Sequence, residues 1–126
     1  MARVYMASKM HHAEKWRALY SHHPEIHVVN AWCFLEPFVE ASDANARKFW
    51  QDDFDDIARC HAVIVYAELG ENLRGALVEA GIGLGLGKTI IVVGDHPDYG
   101  TWQHHPSVHK SSSIEAALEL VIQLES

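Results

Sequence analysis

From Gly75 through Gly87 the chain reads GALVEAGIGLGLG, and Glu79 is its one residue that is neither glycine nor aliphatic. A segment apolar on every face is a buried one. A carboxylate inside it must be paired, hydrogen-bonded or protonated, which makes it a candidate for chemistry. A second acid is placed in a similar way. On a helical wheel over residues 45–60, Phe49, Trp50, Phe54, Ile57 and Cys60 form one apolar arc, and Asp53 falls between Phe49 and Ile57. Asp52 and Asp55 fall on the solvated side and Asp56 at the margin. Two carboxylates in a partly apolar cleft suit cleavage of a glycosidic bond, one attacking the anomeric carbon and the other protonating the leaving group. Burial raises the pKa of the acid, and hydrogen bonds keep the nucleophile ionised. Tyr5, on the first strand, can donate such a bond to Glu79. The alternatives are a structural carboxylate at Glu79, a surface acid of the DDFDD run at Asp53 and an ordinary strand aromatic at Tyr5.

The glycines around Glu79 invite a phosphate-loop reading that fails on spacing and on order. A Walker A motif ending in Gly87-Lys88-Thr89 needs glycine at position 82, which is Ile82. A dinucleotide fingerprint starting Gly81, Gly83 needs a third glycine at Leu86. A phosphate loop also runs strand, glycines, helix, whereas here the glycines precede the β-branched run TIIVV. The segment is therefore expected to be a helix over about residues 74–86 whose glycines let it lie close to a sheet.

The elements that must position these residues alternate. RVYMAS (Arg3 to Ser8) reads as a strand, HAEKWRALY as an amphipathic helix, and IHVVNAW after Pro24 as a second strand. Ser42 or Asp43 can cap a helix running to about Cys60. AVIVYA (Ala62 to Ala67) is wholly apolar, as a strand covered on both faces must be. The Glu79 helix, the strand TIIVVG, a loop from Asp95 to about Lys110 and a last helix IEAALELVIQL complete the pattern β-α-β-α-β-α-β-loop-α. It predicts one α/β domain over residues 1–126, a doubly wound, Rossmann-like or flavodoxin-like parallel sheet of four to five strands with helices on both faces. Ligands of such sheets bind beyond the carboxyl ends of the strands, where the chain order reverses.

Composition narrows the partner. A net charge of −7 with no basic run argues against a nucleic-acid polymer or an anionic membrane and favours a small-molecule ligand. Neither a signal peptide nor an apolar run of membrane-spanning length is present in these residues, and a cytoplasmic protein is expected. Cys33 and Cys60 lack CxxC spacing and are expected to be buried thiols. The 10 histidines include three adjacent pairs, a poor spacing for ligands of one ion, and HExxH does not occur, so no metal and no cofactor is expected. Most are expected at the surface, with His11, His12 and His105 as exceptions.

Three segments together resemble the nucleoside 2-deoxyribosyltransferase-like superfamily, which includes the 2-deoxynucleoside 5-monophosphate N-glycosidases. They are VYMAS on the first strand, the helical Asp53 four residues before the Ile of DIARCHAVIVY, and RGALVEAGIGLGLGKTIIVVG. The resemblance covers most of the chain in outline and is specific only around Glu79. It implies that Glu79 is the glycosyl-bearing nucleophile, that Tyr5 orients it and that Asp53 faces the nucleobase. It also implies a five-stranded parallel sheet in dimers or larger oligomers with sites near subunit interfaces. The chain departs from the family pattern at Leu73, where the family often has Asp or Ser six residues before its nucleophile. Asn72, Arg74 and Gly75 stand beside that position. Arg74, near a helix N-terminus, suits a phosphate, with Ser8, Lys9 and His11 or His12 as candidates across the crevice. The alternative for Arg74 is a surface pair with Glu68 or Glu71. Trp102 and His105, in GTWQHHPSVH, are candidates for a lid or a base-stacking wall. The expectation is a nucleoside or nucleotide N-glycosidase or deoxyribosyltransferase, acting as a homodimer or higher homo-oligomer. The rivals are an NAD-type glycohydrolase and a nucleotide-sensing module without turnover.

Overall fold

The computed structural model describes residues 2–9, 12–29 and 43–125. The elements are β1 (Ala2–Ala7), α1 (Ala13–Tyr20), β2 (Ile26–Val28), α2 (Asp43–Arg59), β3 (Ala62–Tyr66), α3 (Gly75–Gly85), β4 (Thr89–Val93), β5 (Val108–Ser111) and α4 (Ile114–Glu125). All neighbouring strands pair in parallel, in the order β2-β1-β3-β4-β5. The chain order reverses between β1 and β3, so the switch point of this doubly wound sheet lies beyond the carboxyl ends of those two strands.

Burial follows the apolar runs. Val4, Met6, Val63, Ile64, Val65, Ile90, Ile91 and Val92 are fully buried, as the central strands of a sheet covered on both faces require. Both α3 and α4 pack on β1, β3 and β4 and so lie on opposite faces, and α2 packs beside α3. The register puts Tyr5 of β1, Val63 of β3 and Ile90 of β4 in one row across the sheet. This row lies under α3. A Cβ at Gly83 would stand 2.9 Å from both Val63 Cγ2 and Ile90 Cδ1, so only glycine permits the observed approach of helix to sheet. Gly81 and Gly85 meet nothing within 4 Å, and the packing role expected for the glycines belongs to Gly83 alone. Gly87, with φ +74, ends the segment in a left-handed cap: its N–H donates to Leu84 O at 3.1 Å and the Lys88 N–H to Gly83 O at 2.9 Å. The glycines of GLGLGKT thus pack and terminate a helix.

Three expectations need correction. The connection after β4 is not a plain loop: it holds two 3-10 turns, Pro97–Tyr99 and Thr101–His104, and the fifth strand, whose sequence VHKS is short and half polar because it lies at the sheet edge. Trp50 and Phe54, read as buried on the α2 wheel, are 36% and 46% exposed: Trp50 meets α3 at Gly75, its first residue, and both side chains line an open groove along α2. Among the described residues three histidines are buried, His12, His23 and His96, and of these His12 alone was expected away from the surface. Cys60 is a buried free thiol, pushed up to about 11 by burial. Cys33 and Ser42, one of the two cap candidates, lie outside the described residues. Among the described residues no helix is long and apolar enough to cross a membrane.

Candidate active site

Glu79 sits one helical turn before Gly83, so the glycine contact that lowers α3 onto the sheet also brings Glu79 over the Tyr5 row. The Tyr5 hydroxyl donates a hydrogen bond to Glu79 Oε2. Asp53 reaches the same point from α2 and hydrogen-bonds with both Glu79 and Tyr5. Tyr5, Glu79 and Asp53 are 0%, 5% and 2% exposed, so the two acids meet almost without water. Asp53 Oδ2 has no hydrogen-bond partner among the described residues. The remaining acids of DDFDD are accounted for elsewhere: Asp52 pairs with Lys48 one turn away, Asp55 is exposed, and Asp56 pairs with Arg59.

Two carboxyls this close in a dry site cannot both ionise. Burial pushes Glu79 up to about 10, with the neighbouring Asp53 adding to the shift and the Tyr5 hydroxyl opposing it. Burial likewise raises Asp53, while its hydrogen bonds with Glu79 and Tyr5 pull it back. Burial thus favours one proton held between the two acids at neutral pH.

A cleft of about 230 Å³ opens onto Glu79. Ser8 and Lys9 from the end of β1 form one side of it, and Asn72, Leu73, Arg74 and Gly75 from the segment entering α3 form another. Phe49 and Trp50 of α2, ring centroids 5.7 Å apart and edge to face, close a third. Ser8 is fixed by Trp16, whose Nε1 donates to its hydroxyl at 2.6 Å. Arg74 pairs with neither Glu68 nor Glu71: Glu68 takes Lys15 Nζ at 2.7 Å and the Tyr66 hydroxyl at 2.6 Å, and Glu71 takes His12 Nε2 at 3.0 Å. Lys9 and Arg74 thus bring positive charge to the cleft, and the N-terminus of α3 at Gly75 has no side-chain cap.

The structure places the other sequence candidates differently. His12 faces Glu71 and the edge of Tyr66 and does not line the cleft. Trp102 covers a separate groove with Leu77, Ala80, Gly81 and Leu84, on another side of α3. The β4–β5 connection carries it there because Tyr99, buried beneath it, bonds Val93 O at 2.7 Å and pins the chain to the sheet. His105 is exposed, its Nδ1 accepting from Ser107 N–H at 3.0 Å. His11 lies outside the described residues. Sequence reasoning did not single out Phe49 and Trp50 as cleft walls, nor Glu71, His96 and Asp98 as supports of the segment carrying Arg74. The last three left no local signal, because Asp98 Oδ2 accepts from Leu73 N–H, and His96 bonds Glu71 O, across 25 residues.

His12, Glu68 and Glu71 each offer a ligand atom within 4.8 Å of the others, and within this group Lys15 Nζ pairs with Glu68 while His12 Nε2 bonds Glu71.

Fold and site together define a doubly wound α/β domain with a buried carboxyl pair at its switch point. No family model and no curated protein matches the chain. Among solved structures it is similar to the Clostridium botulinum CMP N-glycosidase BcmB, with a TM-score of 0.58 and 22% identity over 98% of both chains. The likeness extends to the whole five-stranded domain, and at this identity it is a likeness of fold.

Proposed function

We propose that the chain cleaves the N-glycosidic bond of a nucleotide, with Glu79 attacking C1′ and Asp53 delivering a proton to the departing base. The observation that carries this reading is the Tyr5–Glu79–Asp53 cluster, in which Glu79 faces a cleft also lined by Lys9 and Arg74 and the other two are buried behind it. The activity named for the fold neighbour, a CMP N-glycosidase, is consistent with it.

The steps balance within the pair. On substrate binding the shared proton passes from Glu79 to Asp53 along their hydrogen bond, leaving Glu79 ionised and supported by the Tyr5 hydroxyl. The Glu79 carboxylate then forms a bond to C1′ as the C1′–N bond breaks, its electron pair leaving with the base nitrogen, which takes the Asp53 proton. The Asp53 carboxylate next removes a proton from water as that water attacks C1′ and frees Glu79. The sum is hydrolysis to base and sugar, with the proton back on the pair. A second base in place of water gives transfer instead.

Lys9, Arg74 and the uncapped N-terminus of α3 suit a 5′-phosphate on the sugar. The cleft, about 230 Å³, suits one nucleotide better than the two joined in NAD. The reading includes a homodimer: Trp50 and Phe54 on α2 and Val78 on α3 stay exposed in one chain, and a second copy over these helices would bury them and wall the open side of the cleft. Light scattering checks this, with a fully active species of a single 14.2 kDa chain as the contrary result.

The test of the activity is chromatography of free base after incubation with matched nucleosides, nucleoside monophosphates and NAD. Release from monophosphates well above that from nucleosides supports the reading. Binding of monophosphates without any release would make the chain a sensing module instead.

A further inference from the structure

The segment that carries Asn72 and Arg74 to the cleft has no regular structure of its own, yet it is tied on both sides of Asn72. At Glu71 the carbonyl accepts from His96 Nε2 at 2.8 Å, and the carboxylate takes His12 Nε2 at 3.0 Å and the Glu68 N–H at 2.7 Å. At Leu73 the N–H donates to Asp98 Oδ2 at 2.8 Å. His96 and Asp98 are joined in turn, the Asp98 N–H donating to His96 Nδ1 at 3.0 Å. These bonds fix the tautomer. A carbonyl can only accept, so His96 Nε2 carries the proton, and a backbone N–H can only donate, so Nδ1 carries the lone pair. The His96 side chain is 4% exposed, its ring tilted against that of Tyr99.

We propose that His96 and Asp98 form a positioning device that sets the Glu71–Arg74 segment, and through it the Arg74 guanidinium, for the anionic end of the substrate. The device rests on the nucleotide reading of the cleft for its ligand, though not for its geometry. Glu79 and Asp53 are held by packed helices and by Tyr5, so losing the device should weaken binding of the phosphate without touching the chemistry. Its parts come from the β4–β5 connection, which supplies no residue to the cleft and acts through this clamp alone.

The experiment compares His96→Ala, Asp98→Ala and Asp98→Asn with the wild type, measuring kcat and KM on a nucleoside monophosphate and its nucleoside, and amide exchange throughout the chain. Expected for both alanine variants are a KM for the monophosphate raised about tenfold and a kcat within about twofold, as one or two lost hydrogen bonds would give. The nucleoside should be nearly unaffected. The Leu73 amide should exchange at least about tenfold faster while β3 and β4 keep their protection, the mark of a local loss. Asp98→Asn, whose amide oxygen still accepts from Leu73, should restore most of the KM. An unchanged KM, with or without faster exchange at Leu73, would overturn the proposal, as would equal losses on nucleoside and monophosphate. A wild type that releases no base would sink the glycosidase reading instead; the Kd for inorganic phosphate by calorimetry then decides the positioning role, weakening in the alanine variants if it holds and unchanged if it does not.

Discussion

The floor and the rim of the cleft are built by different means. The floor, Glu79 with Tyr5 and Asp53 buried behind it, stands on a strand and two packed helices, almost dry, and its geometry follows from helix-to-sheet packing at Gly83. The rim, Ser8, Lys9, Asn72 and Arg74, stands on segments outside regular structure, placed by side-chain hydrogen bonds from Trp16, His12, His96 and Asp98. In the proposed reading, groups that make and break bonds are held by the core, and groups that recognise are held by a polar scaffold that can be loosened without unfolding the domain.

Substitutions at the floor should therefore remove turnover, and those at the rim should change affinity. The largest effect is expected at Glu79. Glu79→Gln should lower base release about a thousandfold or more, as loss of a nucleophile does. It should also stabilise the protein. The folded pKa of Glu79, about 10, stands above its ordinary 4.5, so the native state keeps a proton that the unfolded chain releases, and stability falls as pH rises between those values. The slope is at most about 1.4 kcal/mol per pH unit. Thermal melts from pH 5 to pH 9 should show the advantage of the variant growing with pH; an advantage that does not change with pH would mean that Glu79 is ionised in the folded protein.

Asp53→Asn should slow release by about 10²–10⁴-fold, most for bases that leave poorly. Equal losses across a leaving-group series would remove the proton-donor role. The wild-type rate should fall on the acid side as Asp53, raised above its usual 3.8, takes a second proton onto the pair, and on the alkaline side as the pair loses its last proton near pH 10. At the rim, Arg74→Ala should raise KM for a monophosphate about 10–100-fold, the range for a charged hydrogen bond, with little change for the nucleoside. A comparable fall in kcat on both substrates would place Arg74 with the floor. The smallest effect on chemistry is expected from Gly83→Ala, where the added methyl should cost about 1–3 kcal/mol by overpacking. Folded molecules should keep most of their turnover, and a complete loss would tie the chemistry to the depth of α3.

The same division explains what the sequence disclosed. An acid inside an apolar helix is visible because its neighbours are, and the period of α2 marked Asp53 although it misplaced Trp50 and Phe54. Strands β1, β3 and β4 read as apolar runs for the same reason. The bonds that His96, Asp98 and His12 make to the Glu71–Arg74 part of the rim join residues 25 or more positions apart, with partners such as Glu71 and Asp98 whose own neighbourhoods look like ordinary turns. Edge strand β5 was read as loop because one edge position asks little of its side chains. His12 illustrates both sides: its burial was anticipated, while its partner, Glu71 rather than a ligand, was set by tertiary structure.

The central claim is that Glu79 attacks the sugar. The direct measurement is mass spectrometry of enzyme quenched during turnover of a nucleoside monophosphate, or loaded with a 2-fluoro analogue that slows release. A mass increase equal to the glycosyl phosphate, located by digestion on the peptide containing Glu79 and missing from Glu79→Gln, is the predicted result. Rapid base release with no adduct, or an adduct on another residue, would contradict it.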